Sequence, residues 1–75
     1  MLTNETKAYR VKVKKEDISY LRWTIESYDG MAVVSTLDPG EARLEIRVAS
    51  GCEALLISLI NSLREHEHIK IDFDS

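Results

Sequence analysis

This sequence is short of nearly everything that makes a function easy to read. It has one cysteine, one proline, three glycines and one tryptophan in 75 residues. A lone Cys52 excludes an intrachain disulfide, and no Cys/His set of zinc-finger spacing is present. No apolar run approaches the roughly 20 residues needed to span a bilayer. The opening MLTNETK is polar and lacks the basic-then-apolar order of a signal peptide. These absences lead to an expectation of a cytoplasmic protein without cofactor. No glycine-rich phosphate loop, GxSxG turn or HExxH pair occurs, so the expectation is also non-enzymatic. The formal net charge of -3 argues against general nucleic-acid binding.

A chain of this length buries only about 60 to 65 % of the surface its unfolded form exposes. Small domains commonly compensate with disulfides, metals or association. The first two have little support here, so association with a second copy becomes the leading expectation.

The pattern along the chain gives one domain, residues 7–75, after a flexible start at 1–6. Tyr9, Val11 and Val13 alternate with Arg10, Lys12 and Lys14, the period of a half-buried strand. Glu16 and Asp17 then place negative charge at a helix start, with Asp17 as N-cap. Ile18, Leu21, Ile25 and Tyr28 form the buried stripe of that helix, and Asp29-Gly30 ends it. MAVVSTL, residues 31–37, reads as a second strand. Asp38-Pro39-Gly40-Glu41 fits a type II turn. A third strand spans 41–49, with Ala42, Leu44, Ile46 and Val48 on its apolar side. Ser50-Gly51-Cys52-Glu53 matches a capping box opening a second helix. The buried stripe of that helix is Cys52, Leu55, Leu56, Leu59, Ile60 and Leu63, with Ile57 pointing off it. Ile69, Ile71 and Phe73 alternate with Lys70, Asp72 and Asp74 as a closing strand.

The order βαββαβ implies an α+β, ferredoxin-like sandwich. Its four-stranded antiparallel sheet would run 4-1-3-2, with both helices on one face. The other sheet face would carry Arg10, Lys12 and Lys14 in the central strand, flanked by Lys70, Asp72 and Asp74 on one side and Arg43, Glu45 and Arg47 on the other, as a solvated, self-neutralising surface. The functional alternative is an anion or RNA platform. RNA-binding sheets of this topology stack bases on exposed central-strand aromatics. Charged chains hold those positions here.

Two features point to association. The second strand lies at a sheet edge and is uncharged from Met31 to Leu37, which invites pairing unless something covers it. Ala32, Val34 and Thr36 are its candidate interface residues. On the first helix, Trp23 points nearly opposite the buried stripe, with Tyr20 at its margin; outward aromatics are enriched where partners bind. The leading expectation is an interaction or regulatory module that forms a homodimer through the second strand, with the helical face bearing Trp23 contacting a second protein surface. The alternative is a sensor binding an amino acid or small metabolite at the dimer interface.

Other residues carry weaker signals. Cys52, near a helix start, is a candidate reactive thiol, but it also belongs to the apolar stripe. His66 and His68 in REHEHIK have metal-compatible spacing. Arg22 and Glu26 form an ordinary i, i+4 pair.

Tyr20-Leu21, Glu26-Ser27-Tyr28 and Thr36-Leu37-Asp38, with the turn, strand and helix that follow, resemble a small uncharacterised bacterial domain-of-unknown-function family. The resemblance extends over most of the chain from Lys7 and implies this fold but no activity. A looser similarity is to ACT domains, βαββαβ regulatory modules that bind amino acids at dimer interfaces. Those modules typically have a glycine between the first strand and first helix. This chain has Lys14-Lys15-Glu16-Asp17 there, so no ligand residues follow from the similarity.

Overall fold

Period-two alternation makes the chain's strands one-sided, and the computed structural model, which describes residues 7–73, shows where the apolar sides meet. The elements are β1 (Lys7–Lys12), a 3-10 turn (Lys15–Asp17), α1 (Ile18–Glu26), β2 (Ala32–Asp38), β3 (Arg43–Val48), α2 (Glu53–His66) and β4 (Asp72–Phe73). The expected flexible start at 1–6 and Asp74 lie outside the described residues. The result is an α+β domain whose four strands form one sheet, with neighbours in the order β2-β3-β1-β4. All three strand pairs are antiparallel.

Register puts Val11 opposite Leu44, and Val34 opposite Ile46, so these side chains share one sheet face. Leu21 and Ile25 of α1 join the same apolar cluster, as do Leu56, Ile60 and Leu63 of α2. Both helices therefore pack on one side of the sheet. No polar or charged residue among those described is buried. On the opposite face Arg10 stands across from Glu45, whose carboxylate lies 3.8 Å from Arg10 Nε and 3.2 Å from Arg47 Nε. Lys12 reaches Glu41 at 3.6 Å. This is the charge-paired surface that the alternation implied.

Local geometry departs from expectation where short-range hydrogen bonds compete with the regular pattern. Helix α1 stops at Glu26, before Asp29-Gly30. The Ser27 hydroxyl donates to the Thr24 carbonyl at 2.7 Å, the acceptor that an α-helical Tyr28 N–H would use. Tyr28 N–H bonds instead to Ile25 at 3.3 Å. Its side chain is exposed and leaves the core stripe assigned to it. Asp17 occupies the cap position of α1 but caps nothing with its side chain. The preceding 3-10 turn already holds it in a helical conformation, with its N–H bonded to Lys14.

Gly51, at φ +90, turns the chain sharply between β3 and α2, so the helix begins after it. Cys52 becomes the N-cap residue, Ser50 stays outside, and the Glu53 carboxylate reaches back to Gly51 N–H at 3.0 Å. The capping box is therefore replaced by a single reach-back bond. In α2 the buried line is Leu56, Ile60 and Leu63. Leu55 and Ile57 lie about 100° to either side of Leu56. Leu55 is the exposed one, and Ile57 is half-buried, the reverse of the expected stripe.

The β2–β3 hairpin is not closed by a type II turn. Asp38 Oδ1 accepts the N–H groups of Gly40 (3.0 Å) and Glu41 (3.2 Å), and Ala42 N–H bonds to Pro39 at 3.3 Å. Positive φ falls on Ala42, at 56, and not on Gly40. The aspartate bonds hold the turn one residue further on, and the side chain of Ala42 is drawn into the core. A register shift between Thr36 and Asp38 follows, leaving Leu37 as the unpaired residue. The closing strand is only two residues long. Ile69 and Ile71 are buried as expected, but Phe73 is partly exposed.

Leu44 is fully buried at the centre of this cluster. Leu44→Ala is expected to cost about 2 to 5 kcal/mol, a large share of the stability of so small a domain. Urea denaturation, with the midpoint falling at unchanged slope, checks this.

Candidate functional site

Helix α1 carries its two outward aromatics three residues apart, so they lie side by side on one helix surface. Trp23 is 68 % exposed and Tyr20 41 %. Their ring centroids are 6.3 Å apart, with the planes tilted by 34°. The Tyr20 hydroxyl donates a 2.6 Å hydrogen bond to Glu67 Oε1, just past the end of α2. The outward position of Trp23 was legible from helix periodicity. The bond that orients its neighbour was not, because Glu67 is remote in sequence.

Glu67 is placed by the C-terminal turn of α2. Both Glu67 N–H and Ile69 N–H donate to the Leu63 carbonyl at 3.2 Å, and His68 takes a left-handed φ of 55. That turn returns Ile69 to the core. His66 is the last residue of α2 and His68 has a left-handed φ, so the two do not lie in the extended segment that put them on one side. His66 Nδ1 lies 3.4 Å from Ser62 Oγ. Among the described residues, no group of three or more His, Cys, Asp or Glu side chains could hold a metal ion. Cys52 is a half-buried free cysteine packed against the core.

The edge strand is the second candidate surface, and here the residues separate. Val34 was expected at an interface, but its side chain is 1 % exposed and belongs to the core. Its N–H points off the sheet edge, where it is already taken by Glu26 Oε2 of α1 at 3.1 Å. The Val34 side chain is therefore not available to a partner, and lysine there would break the core. Ala32 packs partly against the core, and Thr36 is exposed. Glu26 also lies 3.8 Å from Arg22, so the pair read as ordinary surface chemistry has a further role in covering the edge. An uncharged edge strand next to a glutamate-bearing helix end was the only sequence signal for it.

Beside β2, an open cavity of about 430 Å³ is lined by Glu26, Tyr28, Met31, Ala32, Val33 and Arg47, among others. Tyr28 reaches it because α1 ends early. At the far edge, Arg64 of α2 donates to the Ile71 carbonyl through Nε (2.9 Å) and Nη2, with its guanidinium 5.2 Å from the centre of the Phe73 ring. Phe73 also meets Tyr9 edge-on at 6.0 Å. These contacts tie the end of the chain at β4 to α2 through Arg64 and to β1 through Tyr9.

Taken together, the elements define a small α+β domain with an exposed aromatic pair on one helix and a sheet edge on which Glu26 holds the Val34 N–H. The chain belongs to the family described as Domain of unknown function (DUF4911), whose model matches residues 11–66. Comparison with curated proteins and with solved structures returned no match. No helix among the described residues is long and apolar enough to cross a membrane.

Two outcomes follow. The Tyr20 hydroxyl titrates above its ordinary value of 10.0, first because it donates to the Glu67 carboxylate, then through desolvation and repulsion by that charge. Since the folded-state value is raised, the bond stabilises the fold fully below the unfolded tyrosine pKa. That contribution disappears as pH rises through the folded-state value. Ultraviolet titration should show a late tyrosine transition that is absent in Tyr20→Phe. Separately, Glu26→Ala uncovers the Val34 N–H. It should lower stability by about 1 kcal/mol and increase turbidity on concentration, as read by denaturation and light scattering.

Proposed function

We propose that this domain is a non-catalytic interaction module of ferredoxin-like type that self-associates through the helical face bearing Tyr20 and Trp23. The observation that carries this reading is the exposure of Trp23 beside a tyrosine already held by Glu67. An aromatic anchor held in place before binding loses less side-chain freedom on docking, and tryptophan and tyrosine dominate the energetics of many interfaces. The small size of the core supports association further. The β2 edge contributes less than its composition suggests, because Glu26 occupies the Val34 N–H and the shift near Leu37 interrupts the strand.

Sedimentation equilibrium at high micromolar concentration tests the proposal. The wild type should exceed the mass of one chain. Trp23→Ala should sediment as one chain with an unchanged far-ultraviolet circular dichroism spectrum. A wild-type mass of one chain sinks self-association. Red-shifted tryptophan emission at low concentration, moving to the blue with concentration, would place Trp23 in the contact.

The cavity beside β2 favours a second reading, an ACT-like sensor of an amino acid or similar metabolite. Apolar Met31 and Val33 meet Glu26, Tyr28 and Arg47 there, a mixture that can hold and orient a small zwitterion. A ligand at 100 times its Kd, bound only by the folded state, adds about 2.7 kcal/mol of stability. A thermal-shift screen of amino acids reads this directly, and an unshifted midpoint across the set sinks the sensor reading.

A further inference from the structure

The charge pairing on the outer sheet face fails at one end. Register pairs Lys12 of β1 with Asp72 of β4, and the β1–β4 ladder stops there. Two residues further along, it would set Lys14 directly against Lys70, and like charges directly opposite are destabilising. Lys14 keeps an extended backbone, φ -83 and ψ 145, so strand periodicity leaves its side chain on the same face as that of Lys12. The strands part at this point and leave a cleft of about 340 Å³ lined by Lys12, Val13, Lys14, Lys70 and Asp72. Among the described residues, Lys14 and Lys70 thus line the cleft beside a single carboxylate, Asp72. Lys12 has a partial partner in Glu41. Among the described residues, neither Lys14 nor Lys70 is in an ion pair.

We infer that this cleft is a binding site for a small phosphate-bearing ligand. The unbalanced ammonium groups would be brought into favourable contact by a multiply charged anion, and lysine is a regular point-charge partner of phosphate. Val13 gives the cleft a floor fixed in the core, with its N–H bonded to the Ala42 carbonyl at 3.1 Å. The cleft volume suits a small ligand. The net charge of -3 and the acids interleaved on the rest of the sheet argue against a nucleic-acid track. The site lies on the sheet face away from the helices, so it is independent of the aromatic surface on α1.

Inorganic pyrophosphate serves as the probe, titrated at constant ionic strength against sodium chloride while amide resonances are followed. Saturable shifts centred on Lys12, Val13, Lys14, Lys70 and Asp72 are expected. The double variant Lys14→Gln/Lys70→Gln should bind at least roughly tenfold more weakly, since it removes two charge-assisted contacts. Arg22→Gln, which removes one positive charge from α1, should bind like the wild type. Both lysines are exposed, so the double variant is expected to remain folded, which its amide spectrum reports. Shifts no larger than those from sodium chloride overturn the proposal, as does equal affinity in the double variant. Tighter binding of a short oligonucleotide than of pyrophosphate, with shifts spreading to Arg10 and Arg47, overturns the small-ligand class.

Discussion

One apolar interface has to hold this protein together. Each buried strand position faces the same way, and each helix offers one narrow apolar line, so sheet and helices can be satisfied only against each other. Among the described residues there is no second core, and a lone cysteine forms no intrachain disulfide to share the work. Leu44, Ile46 and Val48 of the central β3 form its floor, with Leu21, Ile25, Leu56 and Ile60 above them. Everything exposed is placed by that single contact. The helix faces turned away from it carry Tyr20, Trp23 and Leu55, and the sheet face turned away carries the charges.

The two surfaces obey different rules. On the sheet, opposite charges meet across strands, and Glu45 serves Arg10 and Arg47 together. Exposed pairs of this kind contribute only about 0 to 1 kcal/mol each, so the face is tolerant, and its lysine-rich end can remain unbalanced. On the helices the exposed features are larger, and one of them is hydrogen-bonded across two elements. A tyrosine pinned across two elements beside an exposed tryptophan is a surface with a defined shape. That contrast makes the helical face the better candidate for protein contact, and the lysine cleft the better one for a small anion.

Much of the fold is legible in the sequence. The alternation Val11, Val13 and Leu44, Ile46, Val48 identified buried strand faces correctly, and the phase of Trp23 placed it outward. The helix caps were less legible. Asp17 stands at the expected cap of α1, but the preceding 3-10 turn holds it helical and its side chain caps nothing, while the left-handed Gly51 moves the start of α2 past Ser50 to Cys52. The early stop of α1 came from Ser27 bonding back to Thr24, a choice between two local partners that pattern reading does not resolve. Val34 shows a further limit. Composition identified an unprotected edge, but not which backbone groups face outward or what lies against them.

Periodicity along the chain determined the element types, the identity of most core residues and the sidedness of the charges, because these depend on residues two to four positions apart. Contacts between distant segments were decided only by the tertiary structure. Glu26 covers the Val34 N–H because α1 ends beside β2, and Glu67 holds Tyr20 because α2 turns back at His68. Lys14 and Lys70 meet at one cleft because β1 and β4 are neighbours. Such pairings depend on how separate elements are brought side by side, and sequence proximity carries no record of that.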